Sequence, residues 1–185
     1  MRPQKISQAQ LLQHCAQTFK RYGYAGTSMQ MLADACGLSK GAFYYYYSNK
    51  EALLNDILAD VYQFFAAQIL PVATNTALDV LERFVLMHKY TLPYFSQGNI
   101  GCLMAIISLE ADERLLETRQ IIQSFFQCWQ QAMYHLFAEK YIEEKARILA
   151  KQSIADYEGA ILMYRFSQDS FYIEQVKLRI EALLK

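Results

Sequence analysis

The sequence has little of what interrupts a helix. Seven glycines and three prolines in 185 residues leave few places where the backbone must turn. Apolar residues recur at intervals of three and four far more often than of two, so strands are not expected. No run approaches the roughly 20 apolar residues of a membrane span, and no uninterrupted apolar stretch marks a signal peptide. A cytoplasmic protein without a membrane partner is expected. Cys15, Cys36, Cys102 and Cys128 form no C-x-x-C pair and have no histidine at ligand spacing, which argues against a metal site and a secreted disulfide framework. Each is expected to be a reduced thiol. A nucleophile–base constellation and a glycine-rich phosphate loop are also missing. The chain does not read as an enzyme, and neither catalytic residues nor a cofactor are expected.

Neither sign of charge prevails, with 18 basic and 18 acidic residues. Their distribution is uneven. Residues 1–51 hold six basic residues (Arg2, Lys5, Lys20, Arg21, Lys40, Lys50) against Asp34 and Glu51, a net of +4; the remainder holds 12 basic and 16 acidic residues. A basic front and an acidic body suit a chain whose front alone meets phosphate.

The periodicity predicts an all-α chain of about nine helices. Leu12, Cys15, Ala16 and Phe19 form one buried stripe on a first helix that Ser7 caps and Gly23 ends. A short helix over Ser28–Cys36, capped by Thr27 or Ser28, and another from Ser39 to Tyr45 or Tyr46 are separated only by Gly37–Ser39. Two short helices across so tight a turn are a helix-turn-helix. Phe43 and Tyr47, four apart, are assigned to its core. Ser48 is expected to cap a long helix carrying Leu53, Leu54, Ile57, Leu58, Val61, Tyr62 and Phe65 up to Pro71. A fifth helix carries Leu78, Leu81, Val85 and Leu92 and stops at Pro93. The segment from Cys102 to Leu109, apolar on all sides, reads as a short helix surrounded by others. A long helix with Ile122, Phe125, Phe126, Trp129, Met133, Leu136 and Phe137 on one face follows, then two more over about Lys145–Arg165 and Ser170–Leu184. Residues 1–48 are assigned to the helix-turn-helix domain and 49–185 to a helical body.

From Gly23 to Leu53 the chain reads GYAGTSMQMLADACGLSKGAFYYYYSNKEAL. This resembles the N-terminal signature of the TetR family of bacterial transcription regulators: Gly23–Tyr24, Thr27, Leu32–Ala33, Gly37, Ser39–Gly41, Tyr44, Tyr47 and Lys50–Glu51 fall at the family's spacing. The segments GCLMAIISLEAD (101–112) and EGAILMYRFSQD (158–169) resemble the C-terminal domain of a branch that includes repressors of electrophile and aldehyde detoxification genes.

The resemblance implies a DNA-binding regulator, a repressor released from a palindromic double-stranded operator by a small molecule. It places Lys40, Gly41, Ala42, Tyr44, Tyr46 and Lys50 at DNA-contacting positions. The residue chemistry agrees. Gly41 and Ala42 let a helix lie deep in the major groove; Tyr44, Tyr45 and Tyr46 offer rings and hydroxyls to thymine methyls or phosphates; Ser39 caps the helix; Thr27 and Ser28 offer hydroxyl and N–H groups to another phosphate. Tyr45 reads equally well as packing. Lys50 is expected as a phosphate clamp. The resemblance also implies a homodimer through the last two helices, for which the stripe Ile173, Val176, Ile180 and Leu183 is a candidate, although it would serve equally as intramolecular core.

For the effector, Phe65, Met87, Tyr90, Cys102, Met104, Ile106, Phe126, Trp129 and Tyr164 are candidate lining residues. Their excess of aromatic and Met side chains suits an apolar or aromatic molecule, while each taken alone reads as core. Cys102 supports a second reading. It follows Gly101 at a helix N-terminus that favours thiolate, so covalent modification by an oxidant or electrophile could switch the protein; in the resembling branch a cysteine at this position serves some members as a sensor. His88 is expected to be a satisfied core histidine. Cys15 and Cys36 stand at alanine-like positions and are assigned to structure alone.

Overall fold

The computed structural model describes residues 6–111 and 114–185. Arg2 and Lys5 of the basic front, and Asp112 of the segment 101–112, lie outside them. The described residues hold nine helices and no strand, as the periodicity predicts. They are α1 (Gln8–Tyr22), α2 (Met29–Ala35), α3 (Lys40–Tyr44), α4 (Lys50–Phe64, continued through a π-helical turn, Phe65–Ile69, to Leu70–Ala73), α5 (Val80–Ser96), α6 (Leu103–Ser108), α7 (Leu116–Phe137), α8 (Glu143–Ser167) and α9 (Phe171–Leu184). None of them is long and apolar enough to cross a membrane.

The chain divides into two compact units. Met1–Val61 joins Leu103–Ile122 in the first, and Tyr62–Cys102 joins Gln123–Lys185 in the second. The first unit is therefore larger than the segment 1–48. Side-chain hydrogen bonds explain part of that. Asn55 on α4 donates to Glu117 (2.8 Å) and accepts from the Thr118 hydroxyl (2.6 Å), tying α4 to the first turn of α7.

In the first unit, Ser7 and Gln10 form a reciprocal capping box on α1, and the Gly23 N–H closes its last turn on the Phe19 carbonyl. The buried stripe is Leu11, Cys15, Thr18 and Phe19. Leu12 and Ala16, placed there from sequence beside Cys15 and Phe19, are half-buried, because the buried face is centred toward Leu11 and Thr18. Ser28 and not Thr27 caps α2, accepting from the Met31 N–H. Asn49 and not Ser48 takes the capping role at α4, its side-chain oxygen accepting from the Ala52 N–H at 2.8 Å. On α6, Leu103, Met104 and Ile107 are buried, but Leu109 is 88% exposed. The segment is thus one-sided rather than surrounded.

In the second unit, α4 runs past Pro71 to Ala73. Proline has no N–H to give to the fourth carbonyl behind it, and just ahead of it the register slips by one, with the Leu70 N–H bonding the Phe65 carbonyl. Helix α5 opens with a capping box between Asp79 and Glu82 and contains Pro93 near its end instead of stopping there. Its buried face is Val80, Phe84, Met87, Thr91 and Phe95 with Arg83, and Val85 is exposed. The buried Arg83 guanidinium donates to the Ala73 carbonyl at 3.0 Å and pairs with Glu139. A desolvated charge is tolerated only when so satisfied. On α7 the expected face is buried apart from Phe126, which is half-buried. On α9, Ile173, Val176 and Ile180 are buried within the chain, so three of the four residues considered for the dimer are intramolecular core; the fourth, Leu183, is half-buried, and Leu184 completes the buried stripe.

Candidate nucleic-acid interface

The segment from Ser28 to Tyr47 is built so that its outward side chains have nothing to hold inside. Ser39 caps α3, accepting from the Ala42 N–H at 3.2 Å. The turn before it depends on Gly37, whose φ of +65° is a left-handed conformation that a β-carbon disfavours. From this short helix Phe43 turns inward and is fully buried. Tyr47, also buried, donates its hydroxyl to Asp56 (2.8 Å) and accepts from the Gln8 amide (2.7 Å). Burial and the Asp56 carboxylate push its phenol up to about 12. Two aromatic anchors thus fix the helix, as their spacing predicts.

The other candidate contact residues of this segment are exposed: Ser28, Ser39, Lys40, Gly41, Ala42, Tyr44, Tyr45 and Tyr46. Tyr45 is 95% exposed, which removes packing within the chain as an account of it. A Cβ on Gly41 would meet nothing within 4 Å, so no internal contact calls for glycine there.

Two residues placed with this set from sequence are engaged within the first unit. Thr27 is buried, and its hydroxyl donates to the Gly23 carbonyl at 2.6 Å. Lys50 is half-buried. Its ammonium donates to the Tyr24 (2.6 Å) and Thr27 (2.8 Å) carbonyls and lies 4.1 Å from the centroid of the Tyr24 ring. Desolvation pulls its pKa down. On the same loop, Glu110 accepts from the N–H groups of Tyr24 (3.0 Å) and Ala25 (2.7 Å). A cation on the carbonyls and an anion on the amides hold the α1–α2 loop in one shape. Glu110 carried no sequence signal, since a carboxylate bonding backbone amides some 85 residues away in sequence has no local pattern.

The nine candidate effector residues divide between the units. Met104 and Ile106 belong to the first; Phe65, Met87, Tyr90, Cys102, Phe126, Trp129 and Tyr164 belong to the second. Phe65 and Trp129 meet in a ring cluster that also takes in Phe125, Phe95 and Tyr157, with centroids 4.6 to 6.1 Å apart. Tyr90 is 41% exposed and is not a buried lining residue. A groove of about 360 Å³ lined by Gln127, Gln130, Gln131, Tyr134, Arg147 and Lys151 opens on α7 and α8; none of the nine candidates lines it. His88 is the satisfied histidine expected, 2.9 Å from the Tyr157 hydroxyl, with burial lowering its pKa.

Cys102 is buried, and its thiol is hydrogen-bonded to the carboxyl of Glu158. Burial pushes that carboxyl up to about 7, and its Oε1 has no partner. Arg165, the cation anticipated near Cys102, donates to the Ile100 carbonyl at 3.3 Å. The group beside the thiol is therefore an acid, and Glu158 was not foreseen.

Comparison with known proteins converges on one family. The profile of bacterial regulatory proteins of the tetR family matches residues 11–57, and that of the LmrA/YxaF-like transcriptional regulator C-terminal domain matches residues 92–178. The HTH-type transcriptional repressor DhaR of a Mycobacterium species is 23% identical over 94% of this chain and 90% of its own length. The uncharacterized HTH-type regulator YuxN of Bacillus subtilis is 38% identical over 43% of this chain, a match that spans 30% of YuxN's length. A TetR transcriptional regulator from Legionella pneumophila has the same fold, with a TM-score of 0.85 and 22% identity over the whole of both chains. With the helix-turn-helix in place and both halves of the chain matched, the protein belongs to the TetR family of transcription regulators.

Proposed function

We propose that this regulator is a repressor that binds a palindromic DNA operator as a homodimer and leaves it when a small apolar or aromatic molecule binds its helical body. The observation that carries the DNA reading is the outward face of Ser39–Ala42 and Tyr44–Tyr46, three tyrosines and a lysine held by two buried aromatics and unused by the fold. Lys40 supplies charge to phosphate or guanine, the small residues allow close approach, and the tyrosine rings and hydroxyls meet thymine methyls and phosphates. Ser28 adds a hydroxyl at the start of α2. Thr27 and Lys50 act one step back, by shaping the loop that presents α2.

The homodimer reading rests on the exposed apolar residues of α8 and α9. Ile148, Leu162 and Phe166 share a stripe on α8 with the exposed Ala155 and Gly159, and Phe171 and Leu178 are exposed on α9. A Cβ on Gly159 would meet nothing within the chain, and a helix with small residues at the centre of an apolar stripe can approach a second helix closely. Two such subunits would set their reading helices about one DNA turn apart, roughly 34 Å. The effector reading rests on family membership and the aromatic composition of the body, and cytoplasmic action follows from the role.

Footprinting on DNA flanking the protein's own gene tests the proposal. A protected palindrome with steep salt dependence is expected, and no protection at any site would overturn it.

A further inference from the structure

The first unit contains a contact between two thiols 21 residues apart that no spacing rule pairs. Cys15 lies on α1, fully buried, and Cys36 follows the last residue of α2 and is half-buried. Their sulfurs are 3.5 Å apart. The backbones carrying them are held together by the adjacent residues: His14 Nδ1 lies 2.7 Å from the Ala35 carbonyl, one position before each cysteine in turn. Cys36 also faces the Leu11 carbonyl at 3.9 Å, and the next residue, Gly37, forms the turn.

We propose that Cys15 and Cys36 form a peroxide-oxidisable dithiol, a modification site inside the helix-turn-helix that closes to an intramolecular disulfide. Geometry assigns the roles. Cys36 is the sulfur a small oxidant can reach, and Cys15 is the buried sulfur already in contact with it. The electrostatics agree: the contact with Cys15 lowers the pKa of the Cys36 thiol, while the same contact and burial push that of Cys15 up.

Cys36, having given its proton to solvent, attacks one oxygen of hydrogen peroxide. The O–O bond breaks, hydroxide leaves and takes up a proton, and Cys36 becomes a sulfenic acid. Cys15 then loses its proton and attacks the Cys36 sulfur. The S–O bond breaks, a second water is released, and the S–S bond forms. Two thiols are oxidised by two electrons and one peroxide is reduced to two waters. The sulfurs must close from 3.5 Å to about 2.05 Å, a shift within reach of side-chain rotation and a small movement at the turn. The resulting bond joins α1 to the residue before the turn that leads to Ser39 and α3. It is distinct from any chemistry at Cys102 and does not depend on the DNA-binding proposal.

The test is peptide mapping of the full-length protein after hydrogen peroxide, with remaining thiols blocked by N-ethylmaleimide and no reductant. The expected result is a cross-linked pair of peptides containing Cys15 and Cys36, two hydrogens lighter than the reduced pair, restored by dithiothreitol. The pair should persist in a Cys102→Ser/Cys128→Ser variant and disappear in Cys36→Ser. Should the double variant fail to fold, the wild-type map decides alone, because the peptides identify which sulfurs are joined. Recovery of Cys15 and Cys36 both alkylated, or of Cys36 as sulfinic acid without a cross-link, would overturn the proposal.

Discussion

The reading segment and the helical body use the same kind of side chain to opposite ends. In the body, Phe65, Phe95, Phe125, Trp129 and Tyr157 are buried against one another, and each ring is accounted for by the ring beside it. In the reading segment, Tyr44, Tyr45 and Tyr46 are exposed at the end of a helix of only five residues, while Phe43 and Tyr47 on either side are buried. Aromatic residues inside a core need no explanation beyond burial. A row of them left in water, on a helix too short to be stable alone, marks a surface kept for a partner.

That contrast can be broken at several points. The largest effect is expected from Phe43→Ala, which empties a fully buried site and should cost about 3–5 kcal/mol; chemical denaturation measures it, and a loss of under about 1 kcal/mol would mean α3 is not anchored as described. Glu158→Gln comes next and depends on pH. The folded carboxyl titrates near 7, above its ordinary 4.5. Below pH 4.5 both folded and unfolded chains hold the proton and stability is full; between 4.5 and 7 the unfolded chain releases a proton that the folded one keeps, so stability falls with rising pH and then levels. The variant lacks this fall. It should melt several degrees higher than wild type at pH 8, on the order expected for such a shift, and about equally at pH 4; equal melting at pH 8 would show that folding does not raise the Glu158 carboxyl.

Lys50→Met sharpens the division between reading and shaping. It leaves the Tyr24 and Thr27 carbonyls without their ammonium partner and should lower stability by about 1–3 kcal/mol, a loss that a residue serving only as a phosphate clamp would not show. Tyr45→Ala is the smallest in stability, within about 0.5 kcal/mol of wild type, because the side chain touches almost nothing in the chain. A larger loss in thermal denaturation would place Tyr45 in the core after all.

Much of this was legible in the sequence, and what was not has a common cause. Serine caps at Ser28 and Ser39, the turn at Gly37 and the inward pair Phe43 and Tyr47 are local features, set by neighbours within four residues. Leu11 and Leu12 are equally apolar, so periodicity does not choose between them, although Cys15 and Phe19 of the expected stripe are buried. Pro93 reads as a stop, yet a proline near the end of a helix removes only one hydrogen bond. The engagement of Lys50 with the Tyr24 and Thr27 carbonyls, the Glu110 carboxylate on the same loop, the Glu158 acid beside Cys102 and the Cys15–Cys36 contact all join residues far apart in sequence through side-chain geometry. No spacing rule encodes them. The exposure of the proposed reading face has the opposite origin, since it is the part of the helix-turn-helix that the fold does not use.

The most direct test of that claim removes the face and leaves its anchors. In Lys40→Ala/Tyr44→Ala/Tyr46→Ala, all three side chains are exposed, so the melting temperature should stay close to wild type. Affinity for the footprinted operator, measured by fluorescence anisotropy at fixed salt, should fall by roughly 100-fold or more, since good base contacts contribute about 1–3 kcal/mol each. A folded triple variant that binds the operator as tightly as wild type would contradict the assignment of this face to DNA.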